Sequence, residues 1–573
     1  MQELEQRRLA PQVFSVATSW PEAAVARLPR AVYWVWDSPL RAVASAFLLL
    51  AVAILAAKNQ HAVVGISYGP AVIAVRSIVP MTAAFVVLLC LYRPWPGFLA
   101  AVALTPVWDT SQTEIMLGQV QVILQTVFAV ALIFGCVLQY ATARHNRVLL
   151  DLLASKSQSK DLIRGRTAVR GLSHRYSSYM FAQVGATAFV AFAILSTLAS
   201  RDLANSATVL LHGILEPFAM GAILIWLRPS RRGLMLAAAA LGIGIALGTA
   251  INLMQAFDQF KTPAMVLSNR LVFAFPTYNN VGNFAIIAAL VVPLLAGLIA
   301  GRRRLRISDP LAAVLGVVLV LDLTGLFFSL SKSAWLSATV GLVVLLLMVL
   351  RTWRTRLSVL GAAAILSAVL IPWPALVLQV SPPLNNAYRT AVVSLVGEAR
   401  FDSWNPATLA GHGSMVERFY AVEGGVKMAL DRPLLGVGLD EFGNYYLWHG
   451  YRPEGAKDTL DHAHSLLPEV AAELGLPALT FLVVIITAAM WAMWRSYRTA
   501  RDQATRILAA TLLAAIGTWL LAATAFGVDI YRQVRDQSSD VVAAAVLIAM
   551  AVALARLVTA ENRPPDDSRF GAV

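Results

Sequence analysis

Two histidines and two glutamates crowd one stretch near the end of the chain: His462, His464, Glu469 and Glu473, in DHAHSLLPEVAAELGLPAL. His464 stands directly before an apolar run that begins near Leu467, and Pro468 suits the first turn of a helix there. A helix N-terminus favours anions, and with them the neutral form of an imidazole, which can then act as a general base. The alternative for His464 is a polar cap at a membrane surface. Glu469 and Glu473 are spaced i,i+4 and share one helical face. A carboxyl group inside an apolar span is costly and is read first as functional. Asp461, His462 and His464 could also hold a metal, but without further matched ligands that signal is weak, and no metal or other cofactor is assigned.

Cations stand upstream of this cluster. Lys332 opens an apolar run, and Arg389, Arg400, Arg418 and Arg432 lie between 380 and 466. Arginine suits oxyanions through its fork of donors; lysine brings a point charge. Lys332 also fits a snorkelling interfacial lysine, and Arg418 a helix-surface ion pair with Glu417 or Glu423. Residues 414–430 carry helical spacing with Met415, Phe419 and Val422 on one stripe. Gly436 and Gly438 belong to no phosphate-loop frame and predict a turn. Tyr446 and Trp448 could stack on sugar faces or pack within the loop.

These residues must be positioned by a membrane protein. Of the 573 residues 58% are hydrophobic and 14% charged, and mean hydropathy is +0.67. That balance excludes a disordered chain and an ordinary soluble enzyme. Cys90 and Cys136 both sit in apolar runs, so no disulfide framework is expected. Apolar runs predict spans near 41–57, 77–92, 97–109, 119–141, 178–198, 206–227, 233–253, 280–300, 311–328, 334–350, 357–379, 467–494, 507–528 and 541–558, with 61–75 apolar enough to be re-entrant. The fold class is therefore all-α: a polytopic bundle of about 12–14 spans. With the N-terminus inside, the inward segments hold 31 of the 46 Lys and Arg residues. The positive-inside rule then accounts for the net charge of +14 without nucleic acid, with membrane lipids facing the basic segments. Loop 142–177 is the most basic. Residues 380–466 form one large outward loop, too aromatic for a disordered linker. Within the spans, His212 and Glu216 form an i,i+4 pair, and Asp322 is a second internal acid.

RPLLGVGLDEF followed by AHSLLPEVAAELGLPAL resembles the signature of the O-antigen ligase and Wzy-type polymerase superfamily. Arg270 to Asn280, in RLVFAFPTYNNVG, resembles that family's stretch from Arg to Asn at the start of a span. LTGLFFSLSKSAW resembles its Thr-x-Ser-Arg stretch, with Lys332 in place of the arginine; Ser465 replaces the usual asparagine after the histidine. The resemblance spans roughly 265–490. It divides the chain into a cytoplasmic N-terminus (1–40), an N-terminal bundle (41–265), core helices (266–379), a periplasmic loop (380–466), C-terminal helices (467–558) and a cytoplasmic tail (559–573).

The resemblance implies a bacterial inner-membrane glycosyltransferase acting on the periplasmic side. The donor would be an undecaprenyl diphosphate-linked glycan, the acceptor a glycan or lipid A-core, and no metal or nucleotide sugar would take part. It implies His464 as base, with Arg418 and Lys332 in the catalytic set. Arg270, Asn280, Arg432, His462 and Glu473 would contact substrate. The competing class is a transporter or flippase of lipid-linked glycan. A transporter is expected to show midplane charges and paired halves, whereas here the polar complexity sits in one loop.

Overall fold

The computed structural model describes residues 82–108, 114–117, 120–157, 178–260, 281–329, 331–350, 354, 356–357, 413–452, 462–525 and 539–561. The predicted spans 41–57 and most of 357–379, the re-entrant candidate 61–75, the first part of the large loop and the tail lie outside them.

Each of the other twelve predicted spans is helical over its described residues, to within one end residue, except that 120–123, at the start of the span predicted at 119–141, is strand. In chain order they are α1 (Thr82–Tyr92), α2 (Pro94–Trp108), α3 (Leu124–Ser157), α4 (Ser178–Ala199), α5 (Leu203–Trp226), α6 (Arg231–Phe260), α7 (Val281–Ala300), α8 (Asp309–Phe328) and α9 (Lys332–Val349). Two helices of the loop follow, α10 (Gly413–Asp431) and α11 (Phe442–Trp448). The last spans are α12 (Leu466–Thr499), α13 (Gln503–Ala525) and α14 (Ser539–Glu561). Seven of them are long and apolar enough to cross a membrane, and five further apolar helices are shorter. The chain is an all-α, multi-pass membrane protein. Among the described residues one hairpin interrupts the helices, β1 (Glu114–Leu117) with β2 (Val120–Ile123), antiparallel and paired Leu117 to Val120.

Helix α7 is the axis of the bundle. Every residue from Phe284 to Leu295 is buried, as expected of a helix apolar all round and enclosed by neighbours. Helices α6, α8, α9, α13 and α14 surround it. Small residues set their approach: Gly297 faces Thr511, and Gly341 faces Thr518, both on α13. Close backbone contact through Gly and Thr is the usual means of association where water supplies no hydrophobic drive between helices.

The two ends of the bundle differ. At one end Arg231 donates to Asp502 at 2.6 Å and pairs with Glu561, while Tyr497 donates to the Met348 carbonyl at 2.7 Å. Segments 228–232, 301–310 and 495–506 converge at this arginine-rich end, with Arg231 on Asp502 and Gly301 against Ile507 at the start of α13. The opposite end carries α10, α11 and the start of α12.

Candidate active site

The site is built on a break in α12. Gly475 has φ +87° and ψ 169°, a conformation essentially reserved for glycine. Pro477 has no N–H, so the Glu473 carbonyl loses its helical donor. The Leu476 amide donates to the Pro433 carbonyl at 2.8 Å instead of to Ala472. Two carbonyls inside a membrane helix are thereby released, and each needs a new partner. Ala472 O accepts from the Val437 amide at 2.8 Å, and Glu473 O accepts from the Gly438 amide at 3.2 Å and Ser196 Oγ at 2.7 Å. RPLLGVG and AELGLP are therefore one physical unit, each completing the other's backbone hydrogen bonds. The approach leaves no room for a side chain: a Cβ on Gly436 (φ +67°) would collide with the Ala472 and Glu473 carbonyls. The turn predicted at Gly436 and Gly438 is present, and its purpose is this clamp.

The clamp is tied to the α4–α5 junction. Glu441, buried, accepts from Ser200 Oγ at 3.0 Å, the Asp202 amide at 2.9 Å and Asn444 Nδ2 at 2.9 Å. Ser206 Oγ donates to the Leu439 carbonyl at 2.6 Å, and Asn205 donates to Asp440. The glycines Gly424 and Gly425 of α10 let Tyr446, Phe442 and Pro468 come close. The buried face of α10 is therefore Ala421, Gly425 and Met428. Phe419, expected on the apolar stripe, is 70% exposed: small residues, not bulky ones, make this contact. Tyr446 is completely buried and stacks on Phe442 at 5.6 Å, so it packs the loop and cannot meet a sugar. Trp448 is 78% exposed.

At the head of α12 the two histidines meet. His462 Nε2 lies 2.9 Å from His464 Nδ1, with the rings edge to face at 3.9 Å. His464 has φ +51°, a left-handed conformation that turns the chain sharply before the helix. Ser465 Oγ donates to the Thr524 carbonyl at 2.8 Å and pins the turn to the end of α13. His462 is buried and His464 half-buried. One ring nitrogen must donate and the other accept, so the contact couples the two tautomers. Glu473 is buried below; its Oε1 accepts from the Phe442 amide at 3.1 Å, and its Oε2 has no hydrogen-bond partner. Glu469 is likewise buried on the same face.

Among the cations, Arg418 is half-buried and continues the Ala421–Gly425–Met428 face of α10, while Glu423, one partner considered for it, pairs with Lys427 at 2.8 Å. Lys332 is the first residue of α9, at the same end of the bundle as His464; its side chain, Arg270 and Asn280 lie outside the described residues. Arg432 is exposed, its Cζ 4.8 Å from the centre of the Tyr445 ring. Arg201 and His449, which sequence reasoning passed over, join it. Arg201 Cζ lies 5.1 Å from the same ring centre, and Arg201 Nη1 lies 2.6 Å from His449 Nε2. In the sequence the α4–α5 junction shows only Ser200, Arg201 and Asp202, which carry no signal for these contacts. Among the described residues, no group of three or more His, Cys, Asp or Glu could hold a metal ion.

Residues 317–483 match the model of the O-antigen ligase family. The matched stretch runs from α8 through the clamp and the histidine pair into α12, and it supports the superfamily assignment. Over that stretch the chain is similar to the O-antigen ligase family, within a protein whose apolar helices make it multi-pass in a membrane. No curated protein matches the chain.

Proposed function

We propose that this protein transfers a glycan from an undecaprenyl diphosphate carrier to an acceptor hydroxyl, at the end of the bundle that carries α10 and α11. The observation that carries the proposal is the histidine pair, held at a helix start by a rigid clamp and partly open to solvent. His464 Nδ1–H donates to His462 Nε2, which leaves the lone pair of His464 on Nε2. His462 is thus a positioning residue that selects the basic tautomer, the part an orienting acceptor plays in a nucleophile–base–orienter set. His464 Nε2 takes the acceptor's hydroxyl proton. The acceptor oxygen bonds to the anomeric carbon, and the bond from that carbon to the diphosphate oxygen breaks, its electron pair leaving with the diphosphate. One displacement inverts the anomeric centre. Arg418 and Lys332, with Arg270, supply cations for the departing charge; Asn280 and Arg432 contact the substrate, and Glu473, buried beneath the histidines, acts through the Phe442 amide it holds rather than by touching the glycan. The active face is periplasmic and the membrane is the bacterial inner membrane. Lipid A-core is one acceptor and the end of another lipid-linked glycan the other.

The test is transfer by purified protein from undecaprenyl diphosphate-linked glycan, with and without lipid A-core, in EDTA. His464→Ala is expected to lower the rate by about 10²–10⁴-fold. His462→Gln should retain more activity than His462→Ala. Product on lipid A-core identifies a ligase, and a ladder of longer lipid-linked glycan identifies a polymerase. Full activity of His464→Ala would remove the base.

A further inference from the structure

Two guanidinium groups converge on one aromatic ring beside the clamp. Arg201, at the α4–α5 junction, and Arg432, at the end of α10, place Cζ 5.1 Å and 4.8 Å from the centre of Tyr445. Both arginines are exposed, while the ring they both approach is buried. Two like charges drawn to one ring repel each other, and an ion pair would be the usual relief. Among the described residues neither makes one.

The nearby carboxylates are engaged elsewhere. Asp431 hydrogen-bonds the Tyr451 hydroxyl, and Glu441 serves Ser200, Asp202 and Asn444. Asp202 accepts from the Asn205 amide, and Asp440 from the Asn205 side chain. His449 does not neutralise Arg201 either. Its Nδ1 faces the Asn444 carbonyl at 3.4 Å, which leaves Nε2 to accept from Arg201. The ring of His449 stacks on Tyr445 at 4.5 Å, and next in the chain before it Trp448 is 78% exposed.

We infer that Arg201 and Arg432 form a subsite for an anionic substituent, carboxylate or phosphate, on the glycan being transferred. The inference rests on the glycan-transfer reading above. Two forks of donors can take both edges of such an oxyanion, and the flat exposed face of Trp448 is available to the adjoining sugar ring. The subsite belongs to the same packed unit as the histidines: Tyr445 and Ala463, the residue between His462 and His464, are members of one buried cluster with Phe442, Tyr446 and Ala472. An acidic repeat unit would therefore be held by the clamp that holds the base.

The test reads binding without turnover. Full-length protein in nanodiscs of zwitterionic lipid is titrated with an oligogalacturonate, with a neutral oligosaccharide of equal length and with a phosphorylated one. Wild type is expected to bind the acidic oligosaccharide about tenfold or more tightly than the neutral one. That preference should shrink at high salt and vanish in R201Q/R432Q. His464→Ala should keep it, so loss of transfer and loss of the subsite are read separately. If the double variant does not purify as a single species, Arg201→Lys, which keeps charge and loses the fork, is expected to reduce the preference in part. Equal binding of acidic and neutral oligosaccharides by wild type, or an unchanged preference in R201Q/R432Q, would overturn the subsite. So would its abolition when phosphatidylglycerol replaces the zwitterionic lipid, which would assign the arginines to lipid headgroups.

Discussion

Among the described residues, two histidine–glutamate constellations have nearly the same residue types and opposite surroundings. In α5, His212 Nδ1 lies 3.0 Å from Glu216 Oε1, and Thr126 on α3 donates to the same oxygen. The pair is 0% and 3% exposed and sits on a π-turn over Leu210–Leu215, far from either end of the helix. At the head of α12, His462 and His464 stand above Glu469 and Glu473, with His464 half-buried and a helix start beneath it. A general base needs a route for an acceptor hydroxyl and for the proton it removes, and only the second group lies at an end of the bundle where one can reach it. In the first group Glu216 Oε1 takes both the Thr126 hydroxyl and His212 and so joins α3 to α5, while its Oε2, like that of Glu473, has no hydrogen-bond partner. Residue type alone would have ranked them equally; depth and backbone separate them.

Substitutions can sharpen that contrast. The largest expected effect is the loss of transfer in His464→Ala, against near-normal transfer per folded molecule in His212→Ala, both measured by initial rate. Next is Gly475→Ala. It forces a side chain into a glycine-only conformation and against the Leu434 carbonyl. Strain of about 1–3 kcal/mol, together with the collision, should release the clamp. Limited proteolysis should then cut between 432 and 441 in the variant and spare wild type, and transfer should fall even though every proposed catalytic group remains. Glu216→Ala comes third. It strands the Thr126 hydroxyl and His212 in the bundle interior at about 1–3 kcal/mol, read as a lowered thermal midpoint with activity retained below it. Glu216→Gln keeps the acceptor and should recover most of the loss. Equal loss of transfer in both would break the contrast and give α5 a chemical role.

How much of this was legible beforehand follows from which forces write themselves into single residues. Apolar runs betray spans directly, so every predicted span with described residues holds a helix, and the His464 segment announced itself by a polar cluster against an apolar run. The clamp did not. It is made of backbone hydrogen bonds between 433–438 and 472–476, and only Gly475 with Pro477 inside a span signalled that α12 must break. The π-turn in α5 has no signature in LLHGIL beyond a glycine. The α10 face was misjudged because Gly424 and Gly425 contribute contact by being small. The hairpin at 114–123 hid at the edge of a hydrophobic run, where strand and helix look alike. Arg201 and Arg432 approach the same ring although 230 residues separate them in the sequence.

The smallest expected effect lies at the arginine-rich end, where neither constellation reaches. Burial would raise the Asp502 carboxyl, but the amides of Ala504 and Thr505 and the Arg231 guanidinium outweigh it and hold it below the ordinary carboxylate range. A folded-state value below the unfolded one means that the pair stabilises the fold above about pH 4, the ordinary aspartate range, and that this contribution is lost as pH falls through the lowered folded value. The Asp502 side chain is 44% exposed, so solvent screening keeps the contribution below about 1 kcal/mol. Asp502→Asn should therefore lower the thermal midpoint slightly at pH 7, and the difference from wild type should close towards pH 3. Transfer activity at the opposite end should be unchanged at neutral pH. A change in transfer comparable to that of Gly475→Ala would mean that the two ends of the bundle are coupled, and that the clamp responds to more than its own hydrogen bonds.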